Sequence, residues 1–142
     1  MIVRPWTLGD TDRLKLQPAQ AYMSGWNILS ADFTDLSNEG LAWTAEHDGV
    51  VLGIAGLAPQ WENRASAWAL ISDAAGPHFR KFHGAVWRFL KTSEFRRIEA
   101  TVDVGFEAGH RWMKMLGFEH EGLMRAYRPD GADMHLYARV IR

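Results

Sequence analysis

The stretch from Glu99 to Phe118, EATVDVGFEAGHRWMKMLGF, limits the fold more than any other part of the chain, because its hydrophobic period changes partway along. Ile98, Ala100, Val102 and Val104 alternate with Glu99, Thr101 and Asp103, the pattern of a strand with one apolar and one polar face. Ala108, Trp112, Met115 and Leu116 then fall at i, i+4, i+7 and i+8, with Glu107, His110, Arg111 and Lys114 opposite. That spacing predicts an amphipathic helix of about three turns. Glu107 at its start and Lys114 near its end suit the helix dipole, and Glu107 can pair with Arg111 one turn on. Gly117 followed by Phe118 predicts a left-handed cap with a hydrophobic clasp. A strand running straight into a helix aims backbone amides and the helix's positive end at one spot, which suits an anionic or polarised ligand.

A chain of 142 residues, 47% hydrophobic with seven tryptophans, is long enough for one domain with a core and too short for two ordinary ones. A single domain over residues 1–142 is expected. The formal charge of -1 gives no general pull toward nucleic acid or an anionic membrane. The absence of cysteine excludes a disulfide, a thiolate nucleophile and a Cys-type zinc site. Six histidines are scattered without ligand spacing, so no metal is expected. Trp26, Trp43, Trp61, Trp68, Trp87 and Trp112 lack basic interleaving and read as core or cleft wall rather than nucleic-acid platforms. The opening MIVRPW lacks the apolar run of a signal peptide and no later run approaches a membrane span, so a soluble cytoplasmic protein is the expectation.

In chain order, Ile2 to Trp6 reads as a strand, and Asp10 is placed to cap a helix over Thr11 to Gln17 that Pro18 interrupts. A second helix is expected through Leu29, with Tyr22, Trp26 and Leu29 on one side. Ser30 to Gly40 is a polar loop or short helix anchored by Phe33 and Leu36. Leu41 to Glu46, the turn His47-Asp48-Gly49 and Val50 to Leu57 form a hairpin. A loop over Ala58 to Asn63 leads into a strand from Arg64 to Ser72. Gly76 and Pro77 then open a helix whose buried face is Phe79, Phe82, Val86, Phe89 and Leu90. The return to Ile98 makes a crossover unit, and a last hairpin turns at Asp130-Gly131.

This order resembles the GNAT superfamily of acyl-CoA-dependent N-acetyltransferases over essentially the whole chain. VRPWTLGDTDRL is similar to that family's first strand and helix, and AEHDGVVLGIAGL to its second and third strands. Gly117, Phe118, Glu121, Gly122, Arg125, Gly131, Asp133, Tyr137 and Val140 resemble the branch that acetylates protein N-termini, spermidine and other polyamines, and amino acids. Short proteins of this kind occur in bacteriophage genomes, which would place the chain in the cytoplasm of a bacterial host. The resemblance implies an α/β (α+β) single domain: a mixed, mostly antiparallel sheet of about seven strands, a central splayed parallel pair and about four helices. It also implies acetyl transfer from acetyl-CoA to a primary amine, on a small molecule or a protein, by direct attack.

On this chain the resemblance implies that acetyl-CoA lies along Leu70, Ile71 and Ser72, with its diphosphate on Gly76, Pro77, His78 and Phe79, beside Arg80 and Lys81. Those two cations also read as the solvated face of an amphipathic helix. Phe106, Gly109 and Met113 stand where the family's branches carry an asparagine, a serine and a tyrosine, and the single glycine of Asp73-Ala74-Ala75-Gly76-Pro77-His78 departs from the family's phosphate loop. Glu99 is the first candidate for the general base and Asp103 the second, with His110 a proton shuttle or thiolate acid. Each has a plainer reading: Glu99 in an ion pair, Asp103 capping the next helix, His110 facing water. A backbone amide on Leu70 to Ser72 is expected to stabilise the oxyanion. Phe33, Trp61 and Glu62 are candidates for the acceptor side, where an aromatic wall and a carboxylate suit a cationic amine. A homodimer pairing through the last strand is compatible with the pattern. The alternative function is a catalytically silent GNAT-like binding or virion-associated protein.

Overall fold

The computed structural model describes residues 1–142 and places seven strands in one sheet: β1 (Ile2–Pro5), β2 (Ala42–His47), β3 (Val50–Trp61), β4 (Arg64–Ile71), β5 (Arg97–Asp103), β6 (Glu119–Met124) and β7 (Met134–Val140). Their spatial order is β1-β2-β3-β4-β5-β7-β6. The helices are α1 (Thr34–Asn38), α2 (Phe79–Lys91) and α3 (Glu107–Met115), with 3-10 segments between β1 and α1 and before α2. β4 and β5 are the parallel pair, joined only at Arg64↔Arg97, Ala65↔Ile98 and Ser66↔Glu99, although both strands continue beyond. No helix is long and apolar enough to cross a membrane. The residues group into two compact units, Met1–Ala58 with Trp68–Ser93, and Pro59–Ala67 with Glu94–Arg142.

In the first unit the β2–β3 hairpin closes as expected, with Asp48 and Gly49 at φ 50° and 79°, the left-handed pair a two-residue turn requires. Side chains alternate across these strands, so neighbouring Ala42 and Trp43 serve opposite faces. One face builds a core of Trp6, Phe33, Ala42, Val51, Ile54 and Leu70. Against the other lies α2, whose Phe82 ring sits so close to Gly53 that an added Cβ would stand 2.5 Å from it. Phe82, Ala85, Val86 and Leu90 are the buried positions of α2, close to the expected face.

The segment after β1 departs from expectation. Thr11–Arg13, Pro18–Met23 and Asn27–Ser30 are 3-10 turns rather than two α-helices, and Gly25 at φ 91° separates the last two. Asp10 caps no helix. It turns inward, only 2% exposed, where Arg4 grips both carboxylate oxygens at 2.8 and 2.9 Å and the Thr44 hydroxyl donates at 2.7 Å. Inward ion pairing and capping compete for one carboxylate, and the inward bonds are more numerous and charge-assisted.

In the second unit the expected alternation of β5 holds from Ile98 to Val102, with Ile98, Ala100 and Val102 buried and Thr101 exposed, but Val104 lies past the strand and is 45% exposed. Helix α3 ends in the expected cap, Gly117 at φ 86° with Phe118 N–H donating to Met113 O and Gly117 N–H to Lys114 O. The buried side of α3 is Gly109, Met113 and Leu116, one position round from the expected face, and Met115 is 60% exposed. Gly109 explains the rotation, since a Cβ there would lie 2.7 Å from the Phe106 ring and 2.9 Å from Val102. The expected loop over Ala58 to Asn63 is instead strand to Trp61, turned by Glu62 and Asn63, the latter at φ 72°. The last strand cannot offer a free edge, because β7 is paired by β5 on one side and β6 on the other. The edge is β6, which carries a bulge between His120 and Gly122.

Candidate functional site

In the first unit β4 delivers Leu70, Ile71 and Ser72 to the 3-10 segment Asp73–His78, and that segment runs directly into α2. The Ser72 hydroxyl accepts from Ala74 N–H at 3.0 Å, which fixes the turn. No side chain caps α2 and its first turn holds no acidic residue, so its positive end is not neutralised from within. Gly76, Pro77, Arg80 and Lys81 are exposed there. Asp73, the acidic residue of this turn, is paired with Lys15 at 3.3 Å. The His78 ring lies 4.4 Å from that of His47, and burial, His47, the amino terminus and Lys81 together lower the His78 pKa against the pull of Asp48. Such a group is neutral at ordinary pH and adds no charge for a phosphate.

The backbone of the same strand end is already engaged. Ile71 N–H donates to Gln20 Oε1 at 2.9 Å, Ile71 O accepts from Gln17 N–H at 2.8 Å, and Ser72 N–H donates to Leu52 O at 2.9 Å. The amides of Ile71 and Ser72, expected to face an oxyanion, thus serve internal partners. Phe33 also differs in role from the expected acceptor wall: it stacks on Trp68 with centroids 4.3 Å apart, meets Trp6 edge-on and is 8% exposed, a core residue.

In the second unit Glu99 sits between two guanidiniums, with Arg64 Nη2 at 2.9 Å from Oε1 and Arg97 Nε at 2.7 Å from Oε2. Arg97 continues to Glu121 at 2.6 Å. The Arg64 hydrogen bond first, then Arg97, hold the Glu99 carboxyl at about 2 against the opposing effect of burial, so it is a weak base. Asp103 accepts from Arg128 Nη1 at 2.6 Å and from Gly105 N–H at 3.1 Å. Thr101, between them on the same face, is exposed.

His110 is bound at both ring nitrogens. Nε2 faces the carbonyl oxygens of Asp103 at 2.9 Å and Val104 at 3.3 Å, which only accept, so Nε2 carries the hydrogen. Nδ1 of the neutral ring is then the acceptor, and the Tyr137 hydroxyl donates to it at 2.7 Å. Tyr137 is 4% exposed, and burial, then the charge of Glu107, push its pKa up. His135 and His120 extend this group, with His120 Nε2 2.7 Å from His135 Nδ1. Phe106 flanks the start of α3, whereas Gly109 and Met113 are buried. Trp61 is 65% exposed, but Arg64 lies over its ring at 4.3 Å, so one aromatic face already holds a cation. Glu62 occupies the adjoining turn.

Several of these residues escaped the sequence. Gln20, Lys15 and Arg128 act on partners far along the chain, and nothing local marks them; Tyr137 was visible only through the closing motif.

The fold has relatives among solved structures. The ribosomal-protein-alanine N-acetyltransferase of Brucella melitensis matches with a TM-score of 0.76 at 17% identity, over 99% of this chain and 100% of that one. A GNAT-family acetyltransferase of Bacillus anthracis matches at 0.66 and 15% identity, over 97% and 93%. The chain has the GNAT fold. A further GNAT-fold neighbour, the acetyltransferase yncA of Salmonella typhimurium, solved with its cofactor acetyl-CoA, matches at 0.72 and 15% identity, over 99% of this chain and 94% of that one. No protein-family model and no curated protein matches the chain in sequence.

Proposed function

We propose that the chain is an acyl-CoA-dependent N-acetyltransferase, passing acetyl from acetyl-CoA to a primary amine of a small molecule or a protein. The GNAT fold over the full chain, shared with a neighbour that holds acetyl-CoA, carries this reading. The uncapped start of α2 fits a diphosphate through the dipole's positive end rather than through the turn before it, where Pro77 has no N–H and Phe79 N–H donates to Gly76 O; Arg80 and Lys81 add charge, and Lys15 offsets Asp73. When bound, acetyl-CoA supplies an activated thioester. The amine nitrogen forms the C–N bond as the C–S bond breaks, the nitrogen gives up a proton, and the departing thiolate takes one. Without cysteine, direct transfer is the simplest route.

The ion pairs around Glu99 and Asp103 leave neither carboxylate free as a base, and His110 is held at both ring nitrogens. The amine's proton then passes to solvent water and the thiolate takes one from water, with His110 Nδ1 the proposed shuttle when the Tyr137 hydroxyl turns away from it. Trp61 and Glu62 remain the proposed acceptor contacts.

One observation favours a second reading, the catalytically silent binding or virion-associated protein: the backbone groups at the end of β4 are filled by the chain itself. Thermal unfolding with acetyl-CoA separates the two. A ligand at about a hundred times its Kd adds about 2.7 kcal/mol, a rise on the order of 10 °C for a domain of this size. No rise at millimolar acetyl-CoA supports the silent protein. Mass spectrometry of candidate amines incubated with isotopically labelled acetyl-CoA then identifies the acceptor.

A further inference from the structure

Four polar side chains are buried: Asp10, Gln20, Thr44 and Ser72. Asp10 and Thr44 bond to each other and Ser72 holds a turn, but Gln20 turns both polar atoms of its carboxamide onto the backbone of β4. Its Nε2 donates to Ala69 O at 2.8 Å and its Oε1 accepts from Ile71 N–H at 2.9 Å. Gln17 Nε2 donates to the same Oε1 at 3.1 Å, which fixes the orientation of the amide. Residues two apart in a strand present their polar groups on the same edge. A C=O at one residue and an N–H two residues on are what one residue of an added parallel strand would engage. The Gln20 carboxamide makes that pair of bonds from a side chain, so the edge is shaped for an extended, amide-bearing chain.

We infer that Gln20 is a built-in substitute for such a ligand: it holds the Ala69–Ile71 edge closed in the free protein, and the amide-bearing pantetheine arm of the acyl donor displaces it on binding. The inference rests on the acyl-CoA reading above. Rotation of one side chain releases both backbone groups, while Gln17 N–H keeps its bond to Ile71 O. Two neutral hydrogen bonds must be exchanged for two others, so the occupied edge lowers donor affinity by about tenfold relative to an open one.

Coenzyme A binding to the full-length wild type, Gln20→Ala and Gln20→Leu by titration calorimetry tests this. Both variants are expected to bind about tenfold more tightly than wild type. Wild-type binding with equal or weaker binding by the folded variants overturns the role of Gln20 and leaves the acyl-CoA reading standing. No binding by any form at millimolar coenzyme A overturns both. A wild-type measurement guards against variants that fail to fold: with saturating coenzyme A, the Gln20 side-chain NH2 signals in a nitrogen-15 spectrum should move to solvent-exposed amide positions, while the Ile71 amide stays protected. Gln20 signals that do not move in the bound protein overturn the inference.

Discussion

Asp10 shows how one side chain ties sequence to stability. Burial alone would raise its pKa, yet Arg4, the Thr7 amide and Thr44 hold it at about 2, below its ordinary 3.8. The folded value lies below the unfolded one, so its contribution is complete above about pH 5 and is lost as pH falls through about 4 toward 2. That difference corresponds to about 2 kcal/mol. Urea unfolding of wild type and Asp10→Asn should show the variant less stable at pH 6 and the gap narrowing toward pH 2; a gap that does not change with pH would contradict the ionic role. Glu99 makes the complementary case. Its two arginine partners keep it ionised, so Glu99→Gln should weaken folding but reduce acetyl transfer less than tenfold. A true general base contributes about 10²–10⁴-fold, so a loss in that range would restore Glu99 to catalysis.

At the level of elements, the change of period was a sound guide to where a strand gives way to a helix, and a poorer one to which side of the helix is buried. Gly109 carries no hydropathy signal, yet it is the contact point of α3, because only a residue without Cβ lets Val102 and the Phe106 ring approach. Gly109→Ala should therefore cost about 1–3 kcal/mol, read as a lowered urea midpoint with unchanged slope. An unaltered midpoint would mean that the helix shifts freely. The stretch from Thr11 to Ser30 departs from its expected helices for a related reason. Its apolar residues pack through short 3-10 turns, which have no sustained 3.6-residue period, and Pro18 and Gly25 divide them. The hairpin at Asp48-Gly49 was legible because its turn chemistry is wholly local.

For the whole molecule, the strand count, the parallel pair and the crossover were legible, since each follows from the order of local patterns. The candidate site was less so. Arg64 and Glu99 are 35 residues apart and Gln20 and Ile71 are 51 apart, and pairings of that kind exist only once the sheet has assembled. Sequence could therefore nominate Glu99 as reactive and had no means of seeing the guanidiniums that quiet it. Assembly also decides how the sheet meets its neighbours. β6, one of the two edge strands, breaks register at the bulge between His120 and Gly122. An identical rim approaching it would find a misaligned row of amides, so this edge gives crowded copies a poor template from which to zip into fibrils.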